Sequence, residues 1–301
     1  SDFEELRRLE AVDMGLPLGR APGAGASQAV EVLRYFAGWA TKLNGETLPN
    51  SMPWSVFTYT LREPVGVVAS IIPWNSPINN VLWKLAPVLA SGCTMVLKPA
   101  EEASLVALRI GELLAGAGVP DGVVNIVTGP GETAGARLTE HPDVDKVAFT
   151  GSTAVGRHIV RAAAGNLKKV SLELGGKSPD VVFADADLRR AVPGAAMGVF
   201  ANSGQACCAG TRIFVERPVY DEFVEAACRY AGKLKVGNSL DPETRIGPVV
   251  SEDQLARVTG YLDIGRQEGA RAVAGGGRLT DGDLGAGYFV APTVLVDVED
   301  E

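Results

Sequence analysis

The chain reads as an α/β protein made of two doubly wound parallel-sheet domains. Three observations predict this. Short β-branched runs alternate with longer segments of helical period, the pattern of parallel strands joined by crossover helices. The 36 glycines and 18 prolines show no repeat and fall at the ends of apolar segments, as punctuation does in such a chain. A length of 301 residues, 46% of them hydrophobic, supplies two ordinary cores.

The first strand is expected over Val65–Ile72 and the next helix over Pro77–Leu89, with Ser76 as N-cap and Pro77 at the first helical position. A strand at Thr94–Leu97, a helix at Ser104–Ala115 and a strand at Val123–Val127 continue a β-α-β-α-β order. A short helix near Thr133–Glu140 leads to a strand at Lys146–Phe149, then to Gly151–Gly156 and a helix ending near Ala164. That is a Rossmann-like, nucleotide-binding layout. A second set follows Gly175-Gly176: strand Asp180–Phe183, helix Leu188–Asn202, strand Thr211–Val215 and a helix near Tyr220–Leu234. The boundary is placed at Leu174, giving domains 1–173 and 174–301. Residues 1–48 are expected to form two helices without identifiable chemistry.

Charge and cysteine content narrow the function. With 28 basic against 36 acidic residues the net charge is −8, and no stretch of five or more Lys/Arg occurs, so nucleic acid and anionic membrane are not expected partners. Cys93, Cys207, Cys208 and Cys228 show no CxxC spacing and two are adjacent, which disfavours a zinc cage and a disulfide framework. No metal is expected, and a reducing, cytoplasmic setting fits. No apolar run reaches the ~18–20 residues of a membrane helix. The sequence starts without Met and stops after a strand-like run ending at Val298, so it is expected to be a piece of something longer.

Several residues could carry chemistry. Cys207 lies in a loop of small residues, Gly204 to Gly210, between a helix and a strand; the alternatives are a nucleophile and a small buried hydrophobe. Glu173 sits in an apolar strand end before two glycines, where desolvation would suit a general base and an edge strand would leave it exposed. Asn75 follows Pro73-Trp74 at a strand's C-terminal end, where ligands bind in open α/β sheets, and its amide could donate to an oxyanion. Gly151 to Gly156 lacks the dinucleotide fingerprint and the P-loop lysine, yet a helix N-terminus there would attract phosphate. His141 and His158 have no site-like neighbours, which leaves a Ser-His or Cys-His hydrolase without a base.

Taken in order, Pro73-Trp74-Asn75, Lys98-Pro99-Ala100-Glu101, Phe149-Thr150-Gly151-Ser152, Leu172 to Lys177 and Gly204-Gln205-Ala206-Cys207 resemble the signatures of the aldehyde dehydrogenase superfamily, non-acylating type. The resemblance runs from about residue 2 to the end. It implies an NAD(P)-binding domain, a catalytic domain from near Leu174 and an active site in the cleft between them. Cys207 would be the nucleophile, Glu173 the base that activates water, Asn75 the oxyanion donor, and Lys84 a further catalytic-site residue. Ile71, Ile72, Pro73, Trp74 and Leu174 would line the cofactor cleft; Lys98 and Glu101 would meet the adenosine ribose, Gly151, Ser152 and Gly156 the pyrophosphate, and Gly131 and Val155 the adenine. Glu101 would accept from a ribose 2′-hydroxyl and repel a 2′-phosphate, favouring NAD over NADP. Asn79, Asn80 and Trp83 would share one helix face along a partly polar aldehyde channel.

The same resemblance implies what the chain lacks: the first strands of the cofactor domain and everything from the Glu-x-Phe-Gly-Pro region onward, including an arm that joins subunits. The full-length protein is expected to be a homodimer or homotetramer. A CoA-acylating dehydrogenase and a non-catalytic NAD-binding fragment are the rival readings.

Overall fold

The alternation of strands and helices resolves into two units in the computed structural model, which describes residues 2–19 and 26–299. One unit is Gly23–Glu173; the other joins Ser1–Pro22 to Leu174–Glu301. The chain therefore divides at Leu174, but its first residues depart from the expected 1–173 domain. Helix α1 (Asp2–Met14) belongs with the C-terminal part because Leu6, Ala11 and Met14 are buried. The following backbone is also tied there: the Leu18 N–H donates to Ser239 O at 2.8 Å and Ser239 Oγ donates to Gly15 O at 2.6 Å.

The unit Gly23–Glu173 opens with α2 (Ala26–Ala37) and a small antiparallel hairpin, β1 (Thr47–Leu48) and β2 (Thr58–Tyr59). Then come β3 (Val67–Ile71), α3 (Pro77–Ala90), β4 (Thr94–Lys98), α4 (Leu105–Gly116) and β5 (Val124–Ile126). A π-turn at Gly131–Gly135 runs into α5 (Ala136–Glu140), followed by β6 (Lys146–Gly151), α6 (Thr153–Ala163) and β7 (Lys169–Leu174). The sheet order is β5-β4-β3-β6-β7. β3 is parallel to β4, from Val67↔Thr94 to Ile71↔Lys98, and parallel to β6, from Val68↔Lys146 to Ile71↔Phe149.

The chain thus winds outward from β3 through β4 and β5, then returns to the other side of β3 as β6. That reversal opens a crevice at the C-terminal ends of β3 and β6, the place where ligands bind in such sheets. Helices cover both faces, so the central strands read as nearly continuous apolar runs. Val68, Ala69, Met95, Leu97 and Val147 are all 2% exposed or less. β7 lies at the edge, and its residues alternate between exposed and half-buried.

In the other unit, β8 (Pro179–Val182) crosses through α7 (Leu188–Phe200) to β9 (Arg212–Val215), with which it pairs in parallel from Pro179↔Arg212 to Val182↔Val215. α8 (Tyr220–Ala231) packs alongside, and Val182, Val192, Ala195, Phe223 and Ala227 form the core. α9 (Glu252–Gln267) and the antiparallel pair β10 (Arg271–Ala274) and β11 (Val294–Val296) complete it. Asp187 caps α7 by accepting from the Arg189 N–H, and Ser251 caps α9 by accepting from the Gln254 N–H. The expected helix to Asn202 stops at Phe200 because Asn202 and Ser203 adopt left-handed backbone, with φ of 55° and 57°. Among the described residues no helix is long and apolar enough to cross a membrane.

Candidate active site

The sheet edge gathers most of the residues expected to meet a cofactor. Ile71 and Ile72 are buried at the C-terminal end of β3, with Pro73, Trp74 and Asn75 half-buried in the turn that follows. Gly151 ends β6, and Ser152 caps α6: its Oγ accepts from the Val155 N–H at 3.3 Å, and its carbonyl accepts from the Gly156 N–H at 3.0 Å. A Cβ on Gly151 would lie 2.4 Å from the Phe149 ring, so this turn requires glycine. The first N–H groups of α6 have no helical acceptor and, with the helix dipole, suit a phosphate. Val155 is exposed and Gly156 is buried against the fold.

Next along this edge, at the end of β4, Lys98 is 2% exposed, and its ammonium donates to Pro99 O at 2.7 Å and to Glu101 Oε2 at 3.1 Å. Glu101 Oε1 accepts from the Gly131 N–H. Partial burial would raise the Glu101 carboxyl, but its own backbone N–H, the Gly131 N–H and Lys98 outweigh that and hold it below its usual range. The carboxylate is therefore anionic, oriented and still 46% exposed, with acceptor capacity left for ribose hydroxyls. This donor and acceptor set, beside a helix N-terminus at a switch point, fits a dinucleotide.

One expectation on α3 is corrected. Ser76 precedes α3 but does not cap it through its side chain. Instead Ser76 Oγ accepts from Asn79 Nδ2 at 3.2 Å, and its carbonyl accepts from both the Asn80 N–H and Asn80 Nδ2. Asn80 is buried with its Nδ2 donating to the Ser76 carbonyl, Asn79 is half-buried and Trp83 is exposed, so the three residues differ in accessibility along α3. Asn79 is half-buried, and its Oδ1 has no hydrogen-bond partner. Of the two positions left open for Glu173, the structure has the exposed one, because β7 is the edge strand.

Lys84 is half-buried on α3. Desolvation lowers its ammonium to about 8; attraction from Glu173 opposes the shift and repulsion from Lys146 adds to it. Lys146 went unnoticed in the sequence, where it reads only as the polar start of a strand.

Cys207 lies in the other unit, in the segment after α7. Asn202, Ser203 and Gly204 are all left-handed, an arrangement that non-glycine residues adopt only when surroundings hold them. Ser203 Oγ donates to Gly247 O at 2.8 Å, and buried Gln205 accepts from the Val250 N–H at 3.0 Å through Oε1 while donating to Asn202 O at 3.1 Å through Nε2. Cys207 and Cys208 follow on an exposed turn. Partial desolvation of the sulfur, then Cys208, pushes the Cys207 thiol above its ordinary value. Gln205 appears in the sequence beside the cysteine, but its partner Val250 lies 45 residues away and gives no local signal.

The aldehyde dehydrogenase family profile matches residues 1–301. The chain belongs to the aldehyde dehydrogenase family. It is 50% identical over 297 residues to the Bacillus subtilis protein DhaS, covering 99% of this chain and 59% of that one. It is 49% identical over 300 residues to the mitochondrial aldehyde dehydrogenase of Homo sapiens, covering 99% and 57%. Among solved structures, an NAD+ complex of aldehyde dehydrogenase from Bacillus cereus superposes with a TM-score of 0.95 at 48% identity, over 99% of this chain and 60% of that one. The chain therefore spans somewhat under three fifths of the length of these curated aldehyde dehydrogenase relatives.

Proposed function

We propose that the protein containing this chain oxidises an aldehyde to the carboxylic acid with NAD+. The observation that carries this reading is the exposed Cys207 on an anchored turn in a chain of this family. The thiolate of Cys207 attacks the aldehyde carbon, and the thiohemiacetal oxyanion is stabilised by the Asn75 amide and the Cys207 N–H. Bound NAD+ supplies the acceptor for the hydride that leaves when this oxyanion collapses to a thioester. Glu173 then takes a proton from water, which attacks the thioester, frees the acid and returns the thiol. Because the Cys207 thiol is pushed up, its thiolate fraction and the rate of acylation rise with pH through neutrality.

Glu101 and the α6 N-terminus are assigned to the ribose and the pyrophosphate, with Ile71, Ile72, Pro73, Trp74, Gly131, Gly151, Ser152, Val155, Gly156 and Leu174 completing the cofactor surface. Lys98 is committed to Pro99 and Glu101, so it does not offset the repulsion between Glu101 and a 2′-phosphate, which supports NAD over NADP. Lys84 is assigned to the catalytic surroundings of Glu173. Asn79, Asn80 and Trp83 are candidates for contact with the aldehyde.

Exposed Met52, Trp54, Phe57, Tyr59 and Leu61 around the β1–β2 hairpin support a homodimer or homotetramer. Four free cysteines support a reducing, cytoplasmic setting. The test is NADH formation by the full-length protein with NAD+ and a panel of aliphatic, aromatic and polar aldehydes, beside Cys207→Ser. Activity abolished in the variant and acid as the product are expected. Activity that survives Cys207→Ser, or acyl-CoA as the product, overturns the reading.

A further inference from the structure

Asn44 is the only asparagine of the sequence that precedes a glycine, and both residues are exposed in the segment that enters β1. Most other asparagine side chains are tied to the fold. Asn79, Asn80, Asn125, Asn166 and Asn202 all donate through Nδ2 to nearby oxygens. Asn50, just past β1, is held at three points: its Nδ2 donates to Val56 O at 3.2 Å and to Thr58 Oγ1 at 3.1 Å, and its Oδ1 accepts from the Met52 N–H at 3.2 Å. Among the described residues no hydrogen bond holds the Asn44 amide. Gly45, by contrast, is fixed by close approach, since a Cβ there would collide with the Thr60 carbonyl. The Glu46 N–H donates to Thr60 Oγ1 at 2.9 Å and the Thr60 N–H donates to Glu46 O at 2.8 Å, which carries the β1–β2 pairing past Thr47↔Tyr59.

We propose that Asn44 and Gly45 form a spontaneous modification site, at which the asparagine is converted through a cyclic imide to aspartate and isoaspartate. The Gly45 backbone nitrogen attacks the side-chain carbonyl carbon of Asn44. A C–N bond forms there, and the side-chain nitrogen leaves as ammonia, taking the proton that Gly45 gives up. Water then adds to either carbonyl of the imide and breaks its bond to the Gly45 nitrogen, leaving a carboxylic acid and restoring the N–H. An amide and a water go in, an acid and an ammonia come out, and nothing is oxidised or reduced. Glycine favours the attack because no Cβ shields its nitrogen and its backbone reaches the required geometry at little cost. At Asn50 the same attack is opposed by the bonds that hold its side chain and by the Cβ of Ser51.

The packing that requires glycine here both preserves the labile pair and magnifies the product. Opening of the imide at the backbone carbonyl routes the main chain through the Asn44 Cβ, which adds a methylene between Leu43 and Gly45. Either product also places a new carboxylate close to Glu46. Gly45 has no space toward Thr60, so the longer link pushes Glu46 off Thr60 and loosens this end of the β1–β2 hairpin. The hairpin carries Met52, Trp54, Phe57 and Tyr59, exposed residues on which the proposed assembly of subunits rests. The effect on assembly depends on that reading; the chemistry at Asn44 does not.

The test ages the full-length protein for days at physiological temperature and mildly alkaline pH, then digests it with trypsin beside an unaged sample. Residues 43–62 form one tryptic peptide that holds Asn44 and Asn50 together, so Asn50 is an internal control. Fragmentation mass spectrometry places the new acid, and methyl transfer from S-adenosylmethionine by an isoaspartyl methyltransferase counts the isoaspartyl form. Asn44 is expected to convert several-fold faster than Asn50, with isoaspartate exceeding aspartate, and Asn44→Gln is expected to remove that signal. Equal rates at Asn44 and Asn50, or aspartate as the sole product, overturn the proposal. Sedimentation of the aged wild type should show a several-fold larger dissociated fraction than the aged Asn44→Gln protein. Conversion of an oligomer whose sedimentation does not change upholds the site and overturns its coupling to the hairpin. A protein that sediments as a monomer before ageing overturns the assembly reading alone, so the two failures are separable.

Discussion

The C-terminal edge of the five-stranded sheet and the cysteine turn are built in opposite ways. At the sheet edge, β3, β4 and β6 are buried on both faces, and their ends deliver Ile71 to Asn75, Lys98 and Gly151 to fixed positions. Topology alone orders that surface. The cysteine turn follows three left-handed residues and depends on a few side-chain hydrogen bonds from Ser203 and Gln205. The difference teaches that the proposed binding surface rests on the central strands of the sheet and the proposed nucleophile on a small, strained and locally held turn. Strain of this kind keeps a thiol accessible where a relaxed loop would fold it away.

The largest expected effect tests whether reaction and binding are separable. Glu173→Gln should lower steady-state turnover about 10²–10⁴-fold, the usual worth of a positioned base. A single-turnover burst of NADH should survive, since in the proposed sequence only thioester hydrolysis uses that base. Stopped-flow absorbance at the NADH band decides; a vanished burst would place Glu173 before hydride release.

A smaller effect belongs to the sheet unit. Lys84 has its ammonium lowered from 10.5 to about 8, so the folded state disfavours its charge and the penalty is full below about pH 8. As pH rises from there toward 10.5, the unfolded chain binds more protons than the folded one, and the penalty fades. Lys84→Met should therefore gain about 2–3 kcal/mol at neutral pH and lose that advantage at strongly alkaline pH. Urea unfolding at the two pH values measures it, and a gain independent of pH would mean that packing rather than charge is responsible.

The smallest effect sharpens the description of the cysteine turn. Gln205→Ala removes the acceptor of the Val250 N–H and the donor to Asn202 O, at a cost of about 1–2 kcal/mol. Thermal unfolding should report that loss, and NAD+ titration should show unchanged affinity. A weakened NAD+ affinity would show that the two regions are not independent.

The sheet was legible because its strands are apolar runs of β-branched residues broken by Gly and Pro, and the switch point follows from their order. Cys207 and Asn75 were legible as residue types in turns after regular elements. Lys98 and Glu101 announce only a charged pair; the burial of the lysine and its carbonyl acceptor arise from tertiary packing. Helical spacing sets the angle of Asn79 and Asn80 but not their burial, and the bonds of both amides to Ser76 have no mark in the sequence. Glu173 was ambiguous for a similar reason: a strand flank looks the same whether the strand is central or at an edge. The placement of α1 with the distant residues Ser239 and Pro248 has no local signature at all.

The switch point sits on strands that should open last. Amides of β3, β4 and β6 are expected to exchange with solvent only through global unfolding of their unit, whereas the turn at Cys207 can open locally. A thermally stressed population would then contain molecules whose nucleotide surface is intact while the thiol is misplaced. On the proposed roles such molecules would hold cofactor without turning it over, and activity would decay ahead of cofactor binding as the protein ages.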